Sequence, residues 1–296
     1  MFPSFIPSEA ENLTESTSIA LIRQIESHAL STPLSPQSIT MTYTRQGRGE
    51  TPFLLLHGFD SSLLEFRRLM PLLVQARETW AVDLLGFGFT QRLPGLSFSS
   101  AEIKAHLYYF WKTLIQQPVI LVGASMGGAT AIDFTLAYPE AVKKLILLDS
   151  AGLSNSPMAG KLMFPPLDYW ATEFLRNPRV RQNISRAAYY DKSFASRDAQ
   201  LCAALHLNCP GWREALIAFT KSGGYGNFST QLSQIQQSSL ILWGKCDRIL
   251  GTKAAMQFEQ LLPDSQLVWI ENCGHVPHLE QPQITADRIL EFVGAN

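Results

Sequence analysis

Short apolar runs, bounded by glycine, proline or polar clusters, recur along the chain and read as strands. Ile39 to Thr44 alternates, as a half-buried strand does. Phe53-Leu54-Leu55-Leu56-His57, Trp80-Ala81-Val82-Asp83, Val119-Ile120-Leu121-Val122 and Lys143 to Asp149 are nearly continuous, the pattern of strands buried on both faces. Helical spacing fills the intervals from Gly58 to about Gln75, from Ser99 to Gln116, and from the turn at Gly123–Gly127 to about Tyr138. The rhythm stops at Ser150 and resumes with the strand Leu240–Gly244, a helix over Thr252–Leu262, the strand Gln266–Ile270 and a closing helix from about Gln283 to Val293. Strands alternating with helices and short loops predict an α/β fold, a mostly parallel central sheet with helices on both faces.

The interruption has a character of its own. From about Leu153 to Leu232 the patterns are all helical: Asp168–Arg176, Arg179–Tyr190, a helix capped by Ser196 that reaches Leu207, and one opened by Pro210 and stopped by Gly223-Gly224. Ahead of the first strand, Phe2 to Pro7 is too proline-rich for a helix. Ile19, Leu21, Ile22 and Ile25 predict an amphipathic helix between about Glu9 and Leu30. The expected organisation is therefore an N-terminal extension (1–38) packed on the outside, a core (39–152 and 233–296) and an inserted helical cap (153–232). A membrane-surface role for the extension would call for basic residues on its polar face, and only Arg23 and His28 are there. The cap carries a surplus of leucines and aromatics, among them Phe164, Trp170 and Trp212. Most should hold the cap together; a minority should line an apolar pocket, with Trp170 and Trp212 as candidates for substrate contact.

Composition narrows the classes. Of 296 residues 46% are hydrophobic and 17% charged, which is globular rather than disordered. Net charge is −1 with no basic run, which argues against nucleic acid as a partner. No apolar stretch has the length of a membrane span, and the start lacks the basic-then-apolar order of a signal peptide. Cys202, Cys209, Cys246 and Cys273 lack metal-type spacing and read as free thiols, with a Cys202–Cys209 bridge left open; a cytoplasmic protein is expected. The sequence is silent on oligomeric state.

The candidate chemistry centres on Gly123-Ala124-Ser125-Met126-Gly127. Ser125 falls in a sharp strand-to-helix turn, with glycines that let strand and helix approach closely. Its hydroxyl would stand at a helix N-terminus, where backbone N–H groups can stabilise an oxyanion. A serine hydroxyl needs a base, and histidine suits that role. His275 lies in a turn after the last strand and Asp247 in the loop after the strand before it. The order Ser125, Asp247, His275, each following a separate strand, is the pattern of a nucleophile–acid–base set. Asp149 is a rival for the acid. His57 reads as a residue that orders its own loop. His278 forms His-x-x-His with His275, but Pro277 interrupts the helix a metal pair would need.

These pieces together resemble the α/β-hydrolase superfamily, in its serine-nucleophile branch with a helical cap. They are His57-Gly58-Phe59, Asp83-Leu84-Leu85-Gly86-Phe87-Gly88, Gly123 to Gly128, Trp243-Gly244-Lys245-Cys246-Asp247 and Gly274-His275. The resemblance runs from about residue 39 to the end. It implies an oxyanion hole made by the N–H groups of Phe59 and Met126, and structural roles for Asp83 and the Gly86/Gly88 loop. His57 to Thr90 also resembles uncharacterised hydrolases of cyanobacteria and plastids. The expected activity is hydrolysis of a carboxylic ester of a small-to-medium hydrophobic substrate through an acyl-enzyme, without cofactor or metal. Carbon–carbon bond hydrolysis, acyl transfer, or ligand binding with little turnover are the alternatives on the same frame.

Overall fold

A computed structural model describes residues 2–154 and 166–294. In chain order its strands are β1 (Glu26–Leu30), β2 (Ile39–Gln46), β3 (Phe53–Leu56), β4 (Thr79–Val82), β5 (Val119–Ala124), β6 (Val142–Leu148), β7 (Ser239–Gly244) and β8 (Ser265–Ile270). The helices are α1 (Ser16–Arg23), α2 (Met70–Leu73), α3 (Ser100–Phe110), α4 (Met126–Ala137), α5 (Leu167–Arg176), α6 (Pro178–Ala188), α7 (Arg197–Ala204), α8 (Trp212–Ser222), α9 (Lys253–Leu261), α10 (Pro277–Glu280) and α11 (Pro282–Gly294). All eight strands join one sheet in the order β1-β2-β4-β3-β5-β6-β7-β8. β1 and β2 run antiparallel at one edge, and every pairing from β4 to β8 is parallel.

The period-two alternation of each central strand sorts its side chains into two cores. Leu54, Leu56, Leu121, Ile241 and Trp243 belong to the cluster on one face. Phe53, Leu55, Ile120, Val122, Leu240 and Leu242 belong to the other. Both clusters are buried, which explains why β3, β5 and β7 read as continuous apolar runs. Parallel strands point their C-terminal ends to one edge of the sheet, so the loops after β3, β5, β7 and β8 meet there.

The N-terminal segment differs from the expectation. The helix covers only Ser16–Arg23, and Glu26–Leu30 is a strand, pairing Glu26 with Tyr43 through to Leu30 with Ile39. The sheet thus begins before residue 39. Glu26-Ser27-His28-Ala29-Leu30 carries little apolar pattern of its own; its backbone groups find partners on the open edge of β2. The segment packs its apolar face against the core. Ile6, Leu13, Leu21, Ile22 and Ile25 are buried in the same core as Leu63 and Phe66, which leaves no apolar face of α1 for a membrane. The helix expected over Gly58–Gln75 is instead a 3₁₀ turn at Leu63–Phe66 followed by the single turn α2.

Between β6 and β7 the described elements are helical, α5 to α8, lying over the C-terminal edge of the sheet. Phe164 lies outside the described residues. No described helix is long and apolar enough to cross a membrane, and the four cysteines are free thiols.

Candidate active site

Ser125 sits at the end of β5 with φ 52° and ψ −117°, a strained conformation for a residue with a side chain. It is over-determined by its surroundings. The Ser125 N–H donates to Leu148 O at 2.9 Å, and its carbonyl accepts from Gly128 and Ala151. A Cβ at Gly127 would overlap the carbonyl of Leu56, and one at Gly123 the carbonyl of Gly127, so the two glycines are what let α4 start this close to the sheet.

His275 Nε2 lies 2.9 Å from Ser125 Oγ, and His275 Nδ1 lies 2.9 Å from Asp247 Oδ2. The other oxygen of Asp247 accepts the N–H groups of Ile249 (2.7 Å) and Leu250 (3.2 Å), which fixes the carboxylate in its loop. Serine, imidazole and carboxylate, three segments far apart in sequence, thus form one hydrogen-bonded chain. As first residue of its helix, Met126 has no intrahelical acceptor for its N–H. Among the described residues no loop carbonyl or side chain takes the N–H of Met126 or Phe59.

The structure also shows residues that sequence reasoning missed. Glu280 accepts the N–H of Gly274 at 2.7 Å, of Tyr190 at 3.0 Å and of Asp191 at 2.6 Å. The N–H of His275 donates to Ala188 O at the end of α6, at 2.7 Å. One buried carboxylate and one cap carbonyl thus hold the histidine loop against the cap. Glu65 works behind the oxyanion loop, accepting Gly58 N–H at 2.8 Å and His278 Nε2 at 3.0 Å. Burial opposes the charge of Glu65, but the His278 hydrogen bond and the neighbouring imidazoles hold its carboxyl down to about 2. His278 therefore turns to Glu65. His57 accepts Leu84 N–H on Nε2 (3.1 Å), so its Nδ1–H donates to Gly58 O (2.7 Å) and ties two loops together.

Asp60, next to Phe59, is the second missed group. Its carboxylate accepts Arg181 Nη1 (2.7 Å) from α6, His206 Nε2 (3.1 Å) and Trp212 Nε1 (2.8 Å) from α8. Burial pushes His206 below its usual range, which favours the uncharged imidazole. Burial works against the charge of Asp60 as well, yet these donors and the Arg181 guanidinium hold its carboxyl well below the usual carboxylate range. Three cap elements converge on a core residue beside the oxyanion loop.

Asp149, the rival acid, does not contact His275 by hydrogen bond. It is fully buried; Oδ1 accepts Gly244 N–H at 3.0 Å and Oδ2 has no hydrogen-bond partner. Burial, followed by the charge of Asp247, raises its carboxyl well above the usual range, which favours the neutral acid beside the candidate triad. Asp149, Asp247 and His275 place ligand atoms within 4.8 Å of one another, close enough to share an ion, but Asp247 and His275 already hold each other.

A cavity of about 290 Å³ between core and cap opens onto Ser125 and His275. Phe59, Leu175, Ile184, Ile249, Val276 and Leu279 supply apolar lining, and Asp60, Glu65, Arg67 and Arg181 supply polar lining. The two tryptophans expected at the substrate are elsewhere. Trp212, the first residue of α8, is buried with its N–H on Asp60. Trp170 is 62% exposed on the outside of the cap. A helical pattern gives the faces of a helix, and which face meets the pocket depends on packing.

The family model for the alpha/beta hydrolase fold matches residues 51–282. The chain belongs to the α/β-hydrolase family. It is 33% identical to the alpha/beta hydrolase domain-containing protein VTE7 of Arabidopsis thaliana, covering 98% of this chain and 90% of that protein. It is 29% identical to 2-hydroxy-6-oxo-2,4-heptadienoate hydrolase of Pseudomonas putida, over 82% of this chain and 89% of that one. Among solved structures, a thermophilic esterase from Thermogutta terrifontis superposes with a TM-score of 0.78 at 24% identity, covering 91% of this chain and 98% of that chain; at that identity the likeness speaks to the fold. Relatives include lipases as well as carbon–carbon bond hydrolases, so hydrolase chemistry is the common statement.

Proposed function

We propose that this chain is a serine hydrolase that cleaves a carboxylic ester of a small-to-medium hydrophobic substrate through an acyl-enzyme. The observation that carries the reading is the continuous chain Ser125 Oγ–His275–Asp247, at 2.9 Å per link, opening on a largely apolar cavity. Ser125 attacks the ester carbonyl as its proton passes to His275 Nε2. Asp247 holds the imidazole by Nδ1 and stabilises the imidazolium. The N–H groups of Phe59 and Met126 take the oxyanion. The intermediate collapses, His275 returns the proton to the leaving alkoxide, and an alcohol departs. Water, deprotonated by the same histidine, then releases the acid and regenerates Ser125. The scheme uses no cofactor.

A second reading is carbon–carbon bond hydrolysis on the same residues, favoured by the 29%-identical relative named for a heptadienoate substrate. The loop His57-Gly58-Phe59-Asp60 lacks a glycine run, which favours the ester reading.

The test is hydrolysis of p-nitrophenyl esters across acyl lengths, with Ser125→Ala as control. Turnover should fall by a factor on the order of 10⁴–10⁶ in the variant. Equal turnover in the folded variant would refute the assignment. Turnover of a dienone substrate, with no ester cleaved at any length, would favour the second reading.

A further inference from the structure

Asp149 is a buried carboxyl that the proposed ester cleavage does not use. It follows β6 with φ 41°, in the left-handed region that residues with a side chain rarely adopt. Two hydrogen bonds to β7 hold it there. Its N–H donates to Leu242 O at 3.0 Å, and its Oδ1 accepts the Gly244 N–H at 3.0 Å. Oδ2 is left buried without a hydrogen-bond partner. An orphaned polar atom on a strained residue beside a triad points to a role for that atom.

Its neighbours define that role. Asp149, Asp247 and His275 bring side-chain atoms within 4.8 Å of one another. Both carboxyls are buried, and two like charges this close in a water-poor site disfavour each other strongly. A proton on one of them relieves the conflict, and the donors around each decide which. Asp247 accepts from Ile249 N–H, Leu250 N–H and His275 Nδ1. Asp149 accepts from a single backbone N–H. The better-served carboxylate keeps the charge, which leaves the proton to Asp149. Oδ1 is engaged as an acceptor, so the atom that can carry the proton is the orphaned Oδ2.

The other titratable groups packed here point the same way. Glu280 of α10 opposes a further negative charge at Asp149. Cys273, in the loop that carries His275, is a thiol that burial pushes up, with Asp149, Glu280 and Cys246 as its titratable neighbours. Burial and the charge of Asp247 together raise the Asp149 carboxyl, in agreement with the count of donors.

We propose that Asp149 is a positioning residue whose Oδ2–H donates to the Asp247 carboxylate and thereby sets the acid side of the enzyme's pH range. The proposal rests on the serine-hydrolase reading. A carboxylate that already accepts a proton donor still orients the imidazole, but it stabilises the imidazolium less. His275 then remains a free base, able to take the Ser125 proton, in more acidic solution than Asp247 alone would allow.

The test is the pH profile of kcat/KM for a soluble p-nitrophenyl ester in the parent, Asp149→Leu and Asp149→Asn. Leucine keeps the branched shape and has no proton to give. Its acid limb should move up by about one pH unit, which is about tenfold in rate below the limb. Asparagine can keep its oxygen on Gly244 N–H and turn its NH₂ to Asp247, so it should keep the parent's limb. A limb that stays in place in the leucine variant overturns the proposal. So does one that moves down, as removal of a negative neighbour would make it. The infrared difference spectrum of the parent against Asp149→Asn at pH 8 reads the proton directly, whether or not the leucine variant folds. It should contain the carbonyl band of a protonated carboxylic acid; carboxylate bands alone overturn the proposal. A parent without Ser125-dependent turnover removes the hydrolase reading, and the same band still decides whether Asp149 carries the proton.

Discussion

Asp60→Asn tests how the cap and the oxyanion loop depend on each other. The carboxylate receives three donors, Arg181 on Oδ2 and both His206 and Trp212 on Oδ1. Asparagine keeps the shape but offers one acceptor oxygen, and its NH₂ must face either the guanidinium or the other two donors. Breaking one side of a buried ion pair costs about 3–5 kcal/mol. Arg181 keeps the carbonyls of Asp60 (3.2 Å) and Ala203 (2.6 Å), which places the cost near the lower end, about 3 kcal/mol. At about 2 °C per kcal/mol for a chain of this size, the melting midpoint should fall by roughly 6 °C. Asp60 follows Phe59, so slack at one residue moves the N–H of the other. Full loss of an oxyanion donor costs about 10²–10³ in kcat, and partial displacement should cost on the order of 10-fold in kcat with little change in KM. Thermal melts and ester kinetics read both quantities. Adding Arg181→Met to the variant should cost less than Arg181→Met alone, because the pair is already broken. An Asp60→Asn protein with unchanged midpoint and unchanged kcat would refute the coupling.

Two further expectations follow from buried titratable groups. Asp149→Asn mimics the neutral acid, accepting Gly244 N–H with its oxygen and turning its NH₂ toward Asp247, so activity should stay within about threefold. Because the folded-state pKa of Asp149 is raised, its contribution to stability is full below the unfolded pKa and is lost as pH rises. The variant should therefore melt higher than the parent at pH 8; loss of activity comparable to losing Ser125 would instead make Asp149 the working acid. His106 is buried in α3 with both ring nitrogens unpartnered, and burial pushes it down from 6.5 to about 4. Its folded pKa is depressed, so the unfolded chain takes up the proton first, and stability is lost as pH falls from 6.5 towards 4. At pH 5 this amounts to about 2 kcal/mol. Urea unfolding of the parent and His106→Leu at pH 7.5 and pH 5 should show the difference between them shifting by about that amount in favour of the variant; parallel pH dependence would contradict the placement.

Much of the fold was legible because its signals are local. The runs in β3, β4, β5 and β7 are largely apolar over four to six residues, since both faces of those strands are buried, and glycines mark where the chain must turn sharply. Ser125, Asp247 and His275 could be picked out because each follows a strand in a parallel sheet, and parallel strands deliver their C-terminal loops to one edge. The strand at Glu26–Leu30 could not be read that way. Its five residues show almost no pattern, and it exists because the edge of β2 offers hydrogen bonds that the sequence of residues 26–30 does not announce.

The supporting contacts were hidden for a related reason. Asp60 meets Arg181, His206 and Trp212 across 121, 146 and 152 residues, and Glu65 meets His278 across 213. A pairing of that span has no local signature, because it arises only when the cap settles on the sheet. The same settling turned Trp212 inward to a carboxylate and left Trp170 facing out, although both lie in helices of similar amphipathic pattern. The sequence by itself determined the layered α/β core and the three residues that meet at the cavity, since periodicity and turn chemistry are properties of neighbours along the chain. The tertiary structure alone decided which cap side chains line the cavity, which lock it to the core and which remain exposed, since those are properties of neighbours in space.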